Sequence, residues 1–188
     1  MSHGKRPRRA VKTPSWTMPT ILGLILSVLG LVGLVELRPQ LSVTPQEQLD
    51  RKHPFSAPFR ITNTGYLSID IPKIYFYVDE LEDEHANRMT RSTMNVPTWN
   101  GTTLERGESQ TIIGPIYESP FLIKKVEIAI VVNHRGWGMP YWTFRRYFRF
   151  QGIQSGDNWQ WAPQPTDAPF IKRADESMDG ATKSDGAK

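Results

Sequence analysis

An unbroken apolar segment near the start of the chain is the strongest feature of its hydropathy pattern. No charged residue occurs between Thr13 and Val35, and eleven of the fifteen residues from Ile21 to Val35 are Leu, Ile or Val. A helix here is apolar on every face, whereas a surface helix of a globular domain has a polar face. At about 1.5 Å per residue, Met18 to Val35 spans roughly 27 Å, close to a bilayer core. The pattern therefore predicts a transmembrane α-helix at 18–37, in contact with the lipid bilayer.

The charges on either side of this segment predict its orientation. Five basic residues and no acidic residue precede it: Lys5, Arg6, Arg8, Arg9 and Lys12. Because basic residues favour the cytoplasmic side, we expect 1–17 to be a cytoplasmic tail in the inner (plasma) membrane. A cleaved signal peptide is the alternative, but the apolar segment is longer than a usual h-region and no small-x-small site follows. The prediction is an uncleaved single-pass signal anchor, then a linker at 38–54 and an extracytoplasmic, periplasmic domain.

Residues 55–163 show a second pattern, in which apolar and polar residues alternate. The apolar positions of the two clearest segments are Val126, Ile128, Ile130 and Val132, then Trp142, Phe144, Phe148 and Phe150. A period of two is typical of a strand with one buried face, and this face includes Trp142. The Gly-rich segment at 133–140 between them predicts a hairpin. With the shorter segments there are about seven strands, as in an immunoglobulin-like β-sandwich.

Three short motifs carry a resemblance to a known family. They are Phe59-x-Ile61-Thr62-Asn63-Thr64-Gly65, Ile74-x-Phe76-Tyr77-Val78-Asp79 and Gly107-Glu108-Ser109-x-Thr111-Ile112. In this order they resemble the bacterial immunoglobulin-like modules of cell-adhesion type, with an NTG turn after an early strand and a GES-T turn before a later one. The resemblance covers Phe55 to Phe150 and departs from the pattern in the insertion at 80–100. It implies an exported scaffold with a binding or spacing role and no catalytic residues.

Charge and composition change the interpretation of both ends of the chain. The net charge is +4, but residues 1–38 hold six basic residues and one acidic residue, so that 39–188 is close to neutral. The basic character belongs to the segment beside the membrane, and no nucleic acid partner is expected. The absence of cysteine excludes disulfides and thiol chemistry. Residues 164–188 are small and polar, which is typical of a disordered tail.

No residues in the sequence form a recognisable reaction centre. The segment Asp79–His85 holds five carboxylates and one histidine but lacks the spacing of a calcium loop. A solvated segment is its first interpretation and a cation site the second. The four histidines are scattered, and no G-x-S-x-G motif or Gly-rich phosphate loop is present. We therefore expect no enzyme activity, no cofactor and no metal site.

Aromatic residues near the predicted hairpin are better candidates for function. Trp137 lies between two glycines at the hairpin tip, beside His134 and Arg135, and Tyr141 follows it. Exposed Trp and Tyr side chains stack on sugar rings or fill pockets of a partner protein. Packing back onto the sheet is the alternative for Trp137, since loop tips do both. We predict a binding site formed by Trp137, Arg135, His134 and Tyr141.

A group of basic residues provides a second candidate surface. Arg145 and Arg149, with Lys124 and Lys125, are predicted to form a basic stripe on the outer face of the hairpin. Such a stripe suits an anionic polymer or a membrane surface, and protection of a sheet edge is the alternative.

Two functional hypotheses follow. In the first, a single-pass membrane protein displays the immunoglobulin-like domain outside the cytoplasm, where it binds an envelope protein or a polymer. In the second, the protein is a non-catalytic structural subunit of a multi-protein envelope complex. Its assembly element is then a small-residue face of the transmembrane helix, Gly23, Ser27 and Gly30, which also allows a homo-oligomer.

Overall fold

The computed structural model describes residues 23–27, 30, 39–47, 49, 54–85, 88–96, 99–114, 123–135, 141–156 and 158–185. The chain divides into two compact units, residues 1–36 and residues 37–188. In the first unit, residues 23–27 and Gly30 are helical. The Ser27 hydroxyl donates a hydrogen bond to the Gly23 carbonyl at 2.8 Å, which is a contact within one helical turn.

The prediction of an N-terminal transmembrane helix is corrected by this structure. Among the described residues, no helix has both the length and the apolar character needed to cross a membrane. Of the predicted span at 18–37, only 23–27 and Gly30 are described, and the rest lies outside the described residues. The fold class that began with this helix, and the single-pass signal anchor derived from it, are therefore wrong for this structure.

Nine strands and a C-terminal helix make up the described part of the second unit. The strands are β1 Leu41–Pro45, β2 Pro58–Asn63, β3 Ile69–Asp83, β4 Arg88–Asn95, β5 Thr102–Leu104, β6 Ser109–Ile113, β7 Ile123–Arg135, β8 Phe144–Ser155 and β9 Asn158–Gln164. A 3-10 turn at Pro54–Ser56 precedes β2, and helix α1 extends over Ala168–Asp185.

The strands form two antiparallel sheets. The smaller sheet has the order β1-β2-β6, and the larger sheet has the order β4-β3-β7-β8-β9, with β5 paired to the start of β3. The predicted hairpin is present as the β7–β8 pair, in which Ile130 lies opposite Phe148. The inner face of the larger sheet packs on the smaller sheet, and its outer face packs on α1.

Alternate residues of both sheets form the apolar core between them. The face of β7 toward this core consists of Val126, Ile128, Ile130 and Val132, as the alternation predicts. The Phe59 ring of β2 has a centroid 5.2 to 5.8 Å from those of Phe76, Phe150 and Trp161. Such ring contacts add to the free energy of area burial. Phe59 therefore joins the smaller sheet to the centre of the larger one.

Helix α1 covers the outer face of the larger sheet. The Asp167 carboxylate accepts a hydrogen bond from the Phe170 amide at 2.8 Å, which caps the first turn. Phe170, Ala174 and Met178 recur every four residues and form the buried face of the helix. They pack in one cluster with Tyr75, Tyr77, Ala129 and Val131 of the sheet. The outer face is therefore a second, smaller apolar core.

Three elements of this fold differ from the sequence-based expectations. Strand β1 lies within the predicted linker, β4 lies within the predicted insertion at 80–100, and α1 lies within the tail predicted to be disordered. Each is stabilised by a partner that is distant in sequence, since β1 pairs with β2, β4 pairs with β3, and α1 packs on the sheet. The predicted sandwich of about seven strands is accordingly replaced by nine strands in two sheets, plus this helix.

Candidate functional site

The register of the larger sheet places polar side chains side by side at one end of its outer face. Lys73 of β3 lies opposite Asn133 of β7, and Asn133 lies opposite Arg145 of β8. One step further in, Tyr75 and Tyr147 flank Val131 in the same way. Side chains at directly opposed positions share a face of the sheet. The three strands therefore present a polar row, Lys73–Asn133–Arg145, next to an aromatic row.

A cleft of about 760 Å³ lies over this polar row. It is lined by Lys73, Tyr75, Asn133, Thr143, Phe144, Arg145, Tyr147, Ile171 and Asp175. Strands β3, β7 and β8 supply its floor, and α1 supplies Ile171 and Asp175. The cleft is open to solvent over most of its extent, so it is a surface depression and not an enclosed pocket. We call this the polar-row cleft.

Three exposed aromatic residues lie close together in sequence at the start of β8, and one of them, Phe144, lines the polar-row cleft. Tyr141 is 94% exposed, Trp142 is 67% exposed and Phe144 is 41% exposed. Trp142 immediately precedes Thr143 and Phe144, which line the cleft. The prediction that Trp142 belongs to the core is wrong, because the alternating pattern extends beyond the buried part of the strand. We call Tyr141, Trp142 and Phe144 the aromatic segment.

His134 supports this end of the hairpin from the inner side. Its imidazole is stacked on the Phe144 ring, with centroids 5.8 Å apart and planes at 28°. The side chain is buried, and within the described part of the chain its Nδ1 has no hydrogen-bond partner. Burial, and then the nearby Arg146 charge, lower the pKa of His134. The neutral ring is thus favoured, and it acts as an apolar support for Phe144.

The other predicted binding residues have different outcomes. Arg135 ends β7 and lies 3.6 Å from the Asp70 carboxylate, with both side chains more than a third exposed. An ion pair this exposed contributes little to stability. Tyr141 is the most exposed member of the aromatic segment. Trp137 lies outside the described residues. The structure therefore describes three of the four predicted binding residues, namely His134, Arg135 and Tyr141.

The predicted basic stripe is an ion-pair network. Arg145 contacts Asp175 at 2.6 Å and Asp179 at 3.3 Å, both on α1. Arg149 contacts Glu127 at 2.7 Å. Lys125 bridges Glu80 at 3.2 Å and Glu127 at 3.1 Å. The carboxylates compensate the charges of Arg145, Arg149 and Lys125, whereas Lys124, the fourth residue of the predicted stripe, is exposed.

The acidic segment Asp79–His85 mostly lies on β3 and takes part in the same network. Arg173 of α1 donates two hydrogen bonds to Asp79, at 2.9 and 3.3 Å, and the Tyr77 hydroxyl donates a third at 3.0 Å. Burial raises the pKa of Asp79, but the hydrogen bonds from Arg173 and Tyr77 outweigh it and hold the pKa below its usual value. In the part of the chain that the structure describes, no group of three or more His, Cys, Asp or Glu is arranged to hold a metal ion.

Sequence reasoning missed the residues that form the floor of the cleft. Asn133 follows Lys73 by 60 positions, and Arg145 follows Asn133 by 12. Only the strand register brings the three residues together. The register of β3 also shifts between Asp70 and Lys73, around Pro72, which cannot donate to the ladder. The available signal was Arg145, which lies on the outer face of the predicted hairpin. The packing role predicted for Gly23, Ser27 and Gly30 stays a prediction.

Comparison with known proteins gives little further information. No protein-family model matches the chain, and no curated protein matches it. Among solved structures, one similar chain is the protein designated ApaA from Bordetella pertussis, with a TM-score of 0.39 and 15% sequence identity. The alignment covers 69% of this chain and 96% of that one. A TM-score this low does not establish a shared fold, so the function is argued from the chain's own residues.

Proposed function

We propose that the unit at residues 37–188 is a non-catalytic binding module whose ligand binds at the aromatic segment and the polar-row cleft. The observation that carries this proposal is the exposure of Tyr141, Trp142 and Phe144, three near neighbours in sequence of which Phe144 also lines the cleft. Grouped large apolar side chains at a surface are typical of interaction sites. Trp and Tyr are also the residue types that most often dominate binding energies.

The position of the site on the fold supports the same function. Its floor belongs to β3, β7 and β8, which are covered by the smaller sheet on one face and by α1 on the other. Binding residues act most precisely when they project from rigid elements. The aromatic segment stands at the end of this scaffold, where ligand-contacting residues are commonly found.

A retention experiment with matched variants tests the proposal. The full-length protein is immobilised and exposed to protein and polysaccharide fractions of its source cells, beside the Trp142→Ala and Ile153→Ala variants. Ile153 lies at the opposite end of β8 and is 49% exposed, so it controls for loss of an exposed apolar side chain. We expect a component that the wild type and Ile153→Ala retain and that Trp142→Ala binds about tenfold more weakly or worse. Equal retention by all three proteins, or by none, would reject this surface as the binding site.

A further inference from the structure

We infer that the ligand of this surface is a neutral polysaccharide, an inference that rests on the proposed binding function. A sugar ring combines apolar C–H faces with hydroxyl groups that both donate and accept hydrogen bonds. A site for such a ligand requires aromatic rings beside a mixed set of donors and acceptors, with little net charge. Each of these three requirements is met by the aromatic segment and the polar-row cleft.

The cleft provides the mixed hydrogen-bonding groups. Lys73 provides an ammonium donor, Thr143 provides a hydroxyl that donates and accepts, and Asn133 provides a side-chain amide. Within the described residues, the Asn133 Oδ1 has no hydrogen-bond partner. A buried oxygen left without a partner has lost its hydrogen bonds to water without replacement, which destabilises the folded state. A ligand hydroxyl that the amide reaches by rotating toward the cleft would recover part of that cost.

The charge balance of the cleft favours a neutral ligand over an anionic one. Lys73 and Arg145 are its cationic residues, and Asp175 is an anionic one in the same lining. Arg145 is held by Asp175 at 2.6 Å and by Asp179 at 3.3 Å, so its positive charge is compensated. An acidic polymer would meet the Asp175 carboxylate, and Lys73 is the one cation of the lining for which the described residues provide no ion-pair partner. Strongly anionic ligands are bound by groups of uncompensated Lys and Arg.

The aromatic segment provides the rings, and the polarity of the cleft argues against a protein partner. The two most exposed rings of the aromatic segment are those of Tyr141 and Trp142. A protein interface of standard size covers about 800 Å² on each partner and has an apolar centre depleted of charge. Here three charged residues, Lys73, Arg145 and Asp175, all line the cleft. A polymer chain that stacks on rings and exchanges hydroxyl contacts with polar side chains fits this arrangement better.

Affinity electrophoresis of the full-length protein tests the inference. The gels contain laminarin, hydroxyethyl cellulose, galactomannan or glycogen as neutral polymers, and alginate or heparin as anionic ones. We expect at least one neutral polymer to retard the wild type and Ile153→Ala equally. Trp142→Ala should bind about tenfold more weakly, and Asn133→Ala severalfold more weakly. Because Asn133 lies within β7, its variant is compared only after its thermal unfolding midpoint is shown to match the wild type.

The outcomes separate this inference from the proposed function. If no neutral polymer retards the wild type, or if only alginate or heparin does, the ligand class inferred here is wrong. If the retention experiment then still finds a protein whose binding Trp142→Ala abolishes, the binding module stands with a different ligand. If neither experiment finds a component sensitive to Trp142→Ala, both the ligand class and the binding surface fall.

Discussion

Two sets of aromatic residues, one in the larger sheet and one in the segment that leads into β8, differ in what covers them. Tyr75 and Tyr77 lie under α1, where the Tyr77 ring meets Phe170 at 5.8 Å in an edge-to-face contact. Tyr141 and Trp142, in contrast, are 94% and 67% exposed. The first set buries area and forms ring contacts on folding, which stabilises the fold. The second set buries little area and forms few ring contacts, so we propose that it acts in binding. Substitutions in the two sets should therefore separate stability from binding.

The largest expected effect is the loss of Phe170 from the covered set. Its ring is fully buried among the tyrosines, and the Arg149 guanidinium lies 4.6 Å from its centroid. Phe170→Ala should lower the free energy of unfolding by about 3 kcal/mol, since it leaves a cavity under α1. The measurement is urea denaturation followed by circular dichroism. Lys172→Ala, in an exposed pair with Glu176 at 3.9 Å, is the control and should change stability by less than about 0.5 kcal/mol.

The next effect concerns the ion pair that attaches the same helix. Asp79→Ala leaves Arg173 and the Tyr77 hydroxyl without their acceptor, which should cost roughly 2 kcal/mol. The double variant with Arg173→Ala tests whether the two residues are coupled. We expect the double variant to lose less stability than the sum of the two single variants. Strict additivity would show that the pair does not hold the helix.

A smaller effect is confined to alkaline pH. Burial first, and then the hydrogen bond and charge of Asp79, raise the pKa of Tyr77 from 10.0 to about 12. The folded state therefore favours the neutral phenol. Its contribution to stability is complete below pH 10.0 and is lost as the pH rises toward about 12. Denaturant midpoints across this window should fall more steeply for the wild type than for Tyr77→Phe. Parallel curves for the two proteins would contradict the shifted pKa.

The smallest effect on stability is expected in the uncovered set. Trp142→Ala removes a side chain that is 67% exposed, so the free energy of unfolding should change by less than about 0.5 kcal/mol. The same urea titration measures it. A loss above 1 kcal/mol, on the scale of a core substitution, would mean that Trp142 packs as part of the fold. The comparison between the two sets would then fail.

Local pattern predicted the centre of the fold better than its margins. The alternation of Val126, Ile128, Ile130 and Val132 correctly predicted the inner face of β7, but it did not show that Ala129 and Val131 on the opposite face are buried as well. The same reasoning placed Trp142 in the core and was wrong, since periodicity does not show where the covering sheet ends. Helix α1 was missed because its buried residues, Phe170, Ala174 and Met178, are few among polar neighbours. The composition of that segment does not reveal that a tyrosine-rich sheet face is available to receive them.

The candidate site depended even more on long-range structure. Tyr141 was predicted from residue type and from its position beside the hairpin, and the structure shows it exposed. The polar row, in contrast, requires the register of three strands, including the shift between Asp70 and Lys73. A period of two in the sequence tells which residues share a face of one strand, but not which residues lie opposite them. The cleft therefore becomes visible only in the folded chain.

The most direct test of the account follows the indole N–H resonances of the isotope-labelled full-length protein during titration with the polysaccharide that best retards it in gels. Trp142 is exposed, whereas Trp159 is buried and Trp161 is packed against the core. Comparison with the spectrum of Trp142→Phe assigns the critical signal. We expect the Trp142 resonance to shift in proportion to bound ligand while those of Trp159 and Trp161 stay in place. An unmoved Trp142 signal at saturating ligand would contradict the assignment of this surface as the binding site.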